Sequence, residues 1–294
     1  MPASKPTIRQ EIKRYLRTGH SDIMHRAWPG TFAEKEHNAH RDLRARLEAE
    51  VYKIAGNRPL KVKLTVDPVA LTRRKVEPMI RGFFPKAEQR TVLGVIEKSV
   101  VFLTPENMML VLRDTSWDKT AWDLANLYLA SLGAKLLGKD APDIVGLSEG
   151  TTCYVSMTYF AENDPFADFV VHEAAHIFHN CKRRNIGLRE TRRREWLLPI
   201  EYRMRETFAY SCEAYARVLE RATTPTQRRQ LAAKFASKTR ITDERVDPMV
   251  VGDIVTNAAA ARNGWKVILA RCGAPVRQRQ ANALGGSTTS AFSA

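Results

Sequence analysis

The stretch from Asn163 to Phe178 constrains this chain most. Asn163 or Asp164 can cap a helix, and Pro165 suits its first position. Phe166, Phe169, Val170, Ile177 and Phe178 give that helix apolar faces that have to be buried. The same helix carries His172 and His176 one turn apart on one side. Two imidazoles at that spacing can reach one metal ion at about 2.0–2.1 Å. Glu173 sits between them, where its carboxylate can take the proton of a metal-bound water.

A catalytic zinc needs a third protein ligand and an open position. His179 is near in sequence but is separated from His172 by about 10 Å of helical rise, so the three rings cannot converge on one ion. Cys153 and Cys181 are minor candidates, with burial as ordinary small residues the simpler reading. A better source is the helix expected over 200–221. Its stripe of Met204, Phe208, Cys212, Tyr215 and Leu219 is apolar, while Glu206, Tyr210, Glu213 and Arg217 share another face. A carboxylate from that face, packed against the first helix, completes a His-His-Glu set.

His172-Glu173-x-x-His176, followed by Glu206-Thr207-Phe208-Ala209 and then Glu213, resembles the gluzincin branch of the zincin metallopeptidases. The aminopeptidases of that branch open a similar Glu-x-Phe-Ala stretch with their third ligand, and repressor-cleaving peptidases of mobile elements have a Glu before a Phe-Ala pair. The resemblance spans residues 165–220. It implies Zn2+ held by His172, His176 and Glu206, Glu173 as general base, and Glu213 as a supporting acid or substrate contact. Glu213 and Glu195 remain alternatives for the third ligand, Glu195 because the aminopeptidase spacing falls on Arg194-Glu195-Trp196. Metzincins are set aside, because positions 179 and 182 are His and Lys rather than Gly and His. The implied reaction is hydrolysis of a peptide bond, with Tyr210 or His179 as a donor to the developing oxyanion. A non-peptidase metal hydrolase is an alternative, since the motif specifies an activated water and not the bond attacked.

The remaining pattern reads as an α+β, helix-rich domain with a small sheet. A basic helical extension is expected over residues 1–58, a zincin-like domain over 59–273 and a disordered tail over 274–294. Thr7 caps an amphipathic helix with Ile8, Ile12, Tyr15 and Leu16 on one face; Thr31 and Glu34 open a second that ends near Gly56. The alternation Leu60, Val62, Leu64, Val66 predicts a strand, as do Val100 to Leu103, Met108 to Leu112 and Thr151 to Phe160. The last of these is expected at the sheet edge, where an extended peptide can add to it. A helix follows Thr115 to Asp118 and ends at Gly133, and beyond residue 164 the chain reads as helices broken at Pro199, Pro225, Pro248 and Gly264.

Composition then limits the class. Lys plus Arg outnumber Asp plus Glu by 47 to 32, a formal charge of +15, which favours anionic partners: an acidic peptide or protein substrate, or nucleic acid as in a mobile-element protein with a structural or regulatory metal. Lys182, Arg183, Arg184, Arg189, Arg192, Arg193 and Arg194 concentrate that charge between the two ligand helices, either as a solvated loop or as a border of the cleft. Four scattered cysteines without a CxxC pair exclude a disulfide framework and a cysteine-only zinc ribbon, and fit a reducing, cytoplasmic compartment. The first residues lack the apolar block of a signal peptide, and no apolar run approaches a membrane span. His20, His25, His37 and His40 are expected at exposed positions.

Overall fold

The computed structural model describes residues 6–191, 194–238 and 241–274. The elements in chain order are α1 (Ile8–Thr18), α2 (Phe32–Ala55), α3 (Pro68–Phe83), α4 (Lys86–Ile96), β1 (Val100–Phe102), α5 (Met108–Asp114), α6 (Asp118–Ser131), β2 (Gly146–Glu149), β3 (Thr152–Val155), α7 (Phe169–Asn180), α8 (Arg205–Arg221), α9 (Pro225–Lys238), α10 (Pro248–Ala260) and α11 (Gly264–Cys272). The fold is α+β and helix-rich, with a small mixed sheet, as the sequence predicts. The residues of the expected tail from 275 onward, and Arg192 and Arg193 of the basic segment, lie outside the described residues.

Local chemistry sets many of the boundaries. Thr7 and Thr31 each close a capping box, with Gln10 and Glu34, so α1 and α2 start where their side-chain caps place them. Asp67 and Asp247 cap α3 and α10, whose first residues are Pro68 and Pro248. Tyr15 of α1 is fully buried and donates through its hydroxyl to the Asp118 carbonyl at 2.8 Å. It belongs to a cluster with Leu43, Leu47 and Val51 of α2 and Trp122 and Leu129 of α6. The apolar face of the basic N-terminal helix is thus docked within the protein.

The sheet separates this cluster from a larger one. Its order is β1-β3-β2, with β1 parallel and β2 antiparallel to β3. Because side chains alternate across a strand, Cys153 and Val155 of β3 enter the larger core with Phe102, Phe178 and Phe208, while Tyr154 enters the N-terminal one. A third cluster joins Ala214 and Val218 of α8 to Phe235 of α9 and Val251 and Val255 of α10.

Four expectations are corrected. Leu60 to Val66 is irregular: Leu60 and Leu64 lie against the cores, but no described strand pairs with the segment, so its alternation marks a draped chain. Met108 to Leu112 is helical; Asn107 fastens the preceding turn by accepting from the Thr104 N–H and donating to the Phe102 carbonyl, and Met108, Val111 and Leu112 then share one buried helix face. A short apolar run does not distinguish the two states. The strand expected over 151–160 is cut to β3, and it is central; the outer strand beside α7 is β2. His25 is buried, with its ring 5.6 Å from that of His40, which in turn pairs with Asp118 at 2.8 Å; His20 and His37 are exposed. Among the described residues, no helix is long and apolar enough to cross a membrane.

Candidate metal centre

The helix expected to start near Pro165 begins four residues later. Asp164 instead accepts from the Phe166 N–H in a local turn, and Asp168 caps α7 by accepting from the Val171 N–H at 3.3 Å. Asp168 is 1% exposed, and its second oxygen meets Lys75 of α3 at 2.8 Å. Phe169, Val170, Ile177 and Phe178 bury the rest of α7.

The polar side of α7 faces α8. His172 Nε2 lies 3.7 Å, and His176 Nε2 3.4 Å, from the same Glu206 oxygen, Oε2. One donor atom from each of the three residues lies within 4.8 Å of the other two. Tetrahedral ligands about 2.0–2.1 Å from zinc are themselves about 3.4 Å apart, close to the two separations from Glu206 Oε2 in this set. Its charge points the same way. Burial works against a proton on His172, but hydrogen bonds to Glu206 and Glu213 outweigh it and raise the ring to about 10. Burial likewise raises Glu206, yet its hydrogen bonds with His172 and His176 hold that carboxyl far below the usual range. The pocket therefore calls for positive charge between these groups, which a metal cation supplies in place of a proton. His172, His176 and Glu206 form a cluster that can hold a metal ion.

Supporting contacts turn each imidazole toward that point. His172 Nδ1 donates to Glu213 Oε2 at 3.0 Å, and Glu213 Oε1 accepts from the Asp168 N–H at 2.7 Å. Behind His176 stands a relay. Asn180 Oδ1 lies 3.1 Å from His179 Nδ1, which makes that nitrogen the donor; His179 Nε2, 3.0 Å from His176 Nδ1, is then the acceptor. His176 Nδ1 carries the proton and its Nε2 keeps a lone pair for the centre. Burial first, with the charge of Arg205 adding to it, pushes His179 down to about 3, which keeps it neutral for this role. Glu206 Oε1 is held by Arg245 Nη1 at 3.0 Å, and Arg245 also binds Asp243.

Glu173 stands apart from the ligand set. Its Oε2 accepts from Ser148 Oγ of β2 at 2.6 Å, and it is 6% exposed. β2 comes so near that a Cβ on Gly146 would lie 2.6 Å from Glu173 Cγ and Oε1. Tyr210 sets its ring edge-to-face against His172, centroids 4.5 Å apart, and burial raises its phenol strongly. All of these residues border one open cavity of about 1240 Å³ between β2 and the start of α8.

Other candidates lie elsewhere. Glu195 pairs with Lys182 at 2.7 Å, and Cys153 and Cys181 are buried thiols outside the cluster. The basic segment does not border the cavity at any described residue. Arg183 and Arg194 share Glu88, and Arg184 faces Glu190, so much of the segment's charge is engaged internally. Sequence reasoning missed Ser148, Gly146, Asp168 and Arg245, none of which carries a local signal for a role here.

No family model matches the chain, and comparison with curated proteins and with solved structures also finds no match. The gluzincin resemblance thus stands on the residues themselves.

Proposed function

We propose that the protein is a zinc-dependent metallopeptidase of gluzincin type. The observation that carries this reading is the convergence of His172, His176 and Glu206, with Glu173 beside them, on the wall of an open cavity. Zinc, which His172, His176 and Glu206 would hold, would supply Lewis acidity to polarise a carbonyl and bring the pKa of water near 7. Glu173 accepts the proton of the attacking water through its carboxylate and returns it to the leaving amine. Ser148 fixes the orientation of that carboxylate, and Gly146 leaves room for it. Tyr210 borders the same cavity and is the candidate O–H donor to the oxyanion. The outer strand β2 lines the cavity too, so an extended substrate can lie along it.

The test is metal analysis of the purified full-length chain followed by a peptide-library digest. About one zinc per chain is expected, lost in His172→Ala, His176→Ala and Glu206→Ala. Glu173→Gln should keep zinc and fold while losing most hydrolysis. Full zinc retention in a His172→Ala/His176→Ala double variant overturns the metal assignment. Zinc with no peptide cleavage, but with turnover of another hydrolysable bond, moves the protein to a different class of metal hydrolase.

A further inference from the structure

The chain enters α8 through a short 3-10 turn over Tyr202–Met204, and this entry, like β2, lines the cavity. It brings two arginines, Arg203 and Arg205, to the cavity wall just before Glu206. Arg203 is exposed. Arg205 is half-buried, its guanidinium stacked 5.0 Å over the Tyr202 ring. Its Nε is buried and makes no hydrogen bond within the described structure. A guanidinium that stands over an aromatic ring, lines the cavity and forms no ion pair keeps its donors for a partner outside the chain. The third cavity arginine differs: Arg245 is already bound to Asp243 and Glu206. Among the described residues neither Arg203 nor Arg205 forms an ion pair, and the residues outside that set contribute no Asp or Glu side chain.

We propose that Arg203 and Arg205 are the specificity determinants of the site and bind a carboxylate of the peptide substrate. The inference rests on the peptidase reading for the nature of the substrate. An arginine fork matches a carboxylate in two parallel hydrogen bonds. An uncharged isostere leaves the guanidinium donors poorly paired, and a site built to hydrogen-bond a group discriminates strongly against its absence. The carboxylate comes either from an Asp or Glu side chain or from a free C-terminus. The charge that selects substrate thus sits at the entry to α8, not in the segment 182–194.

Binding and turnover are measured separately. The full-length Glu173→Gln variant, with zinc present, is titrated with fluorescent peptides in which one Glu or Gln is scanned through the sequence, each made with a free or an amidated C-terminus. A carboxylate in one register should tighten binding about tenfold over its amide. A gain that follows the scanned Glu identifies a side chain; a gain lost on amidation identifies the C-terminus. Adding Arg205→Gln or Arg203→Gln should collapse that preference, and Arg205→Glu should shift it toward a Lys-bearing peptide, a reversal that a purely structural role would not produce. Equal affinity for Glu and Gln peptides in every register, or a preference that survives both arginine substitutions in folded protein, overturns the proposal. Cleavage of peptides by the wild-type chain without any charge preference also overturns it while leaving the peptidase reading intact. Carboxylate-dependent, Arg205-dependent binding without cleavage upholds it and removes the peptidase reading instead.

Discussion

Glu213 gives the sharpest test of how the centre is held. Its two oxygens have fixed and different tasks: Oε2 accepts from His172 Nδ1 at 3.0 Å, and Oε1 accepts from the Asp168 N–H at 2.7 Å. A carboxylate serves both because it only accepts. In Glu213→Gln one of the two acceptors becomes an NH2 donor. If the amide oxygen stays on Asp168, the NH2 faces His172 Nδ1, which must then be the acceptor. The ring proton then sits on Nε2, and the lone pair that His172 would offer a metal is gone. If the amide oxygen turns to His172 instead, two donors face each other at Asp168, which is 1% exposed. The first outcome lowers zinc affinity; the second leaves a buried N–H unpaired, at a cost of about 1–3 kcal/mol in folding stability. Loss of such an orienting partner typically lowers metal affinity about 10–100-fold, roughly 1.4–2.7 kcal/mol.

The assay is competition for zinc against a chromophoric chelator at fixed pH, paired with denaturant unfolding of the metal-free protein. Glu213→Gln should lie between wild type and Glu206→Ala in affinity. Binding within about twofold of wild type, together with unchanged stability, would refute the hydrogen-bond reasoning. Loss as complete as that of Glu206→Ala would show that Glu213 is itself a ligand.

Two further outcomes follow from close contacts elsewhere. Gly146→Ala places a Cβ 2.6 Å from Glu173 Cγ and Oε1, so the carboxylate must swing away from Ser148; peptide hydrolysis should fall at least about tenfold with zinc content unchanged, and unimpaired turnover would show that the position of Glu173 is not critical. In the loop after α1, the Arg26 side chain and the Arg26 and Met24 N–H groups hold Asp22 at about 2, against 3.8 when unperturbed. The folded pKa is the lower one, so Asp22 stabilises the fold fully above about pH 4 and this contribution is lost as pH falls toward 2. Urea midpoints for wild type and Asp22→Asn should therefore differ at pH 6 and converge near pH 2; a constant difference would place the effect outside ionisation.

The helices were legible where a signal is local and repeated. Thr7 and the Thr31-x-x-Glu34 pattern announced two N-termini, and the 3.6-residue stripe of α8 placed Phe208, Cys212 and Tyr215 in the core where the structure has them. Boundaries settled by tertiary contacts were not legible. Asn163, Asp164 and Pro165 make a good start on paper, yet α7 begins at Phe169 because Asp168 is pinned by Lys75 and Glu213, which are remote in sequence. Strand identity failed in the same way at Leu60 to Val66: alternation describes which side chains are covered, whereas a strand also needs a neighbour to pair with.

The site shows the limit of spacing arguments most clearly. Glu206 and Glu213 are seven residues apart on α8, separated by about 10 Å of rise, and only one of them can sit level with a metal. That argument holds for ligation and leaves out the length of the partner side chain. An imidazole presents nitrogens at opposite sides of the ring, and His172 uses both: Nε2 turns to Glu206 and Nδ1 to Glu213. One heptad of α8 is thus spanned by a single side chain of α7, and both carboxylates act on the same centre from different distances. The pair His172 and His179, also seven apart, works through His176 in between, with His179 too remote to share a metal with His172 but within 3.0 Å of His176 Nδ1. Spacing along one helix separates ligands from non-ligands; the groups that orient the ligands appear once the second helix, and the side chains between the two, are set in place.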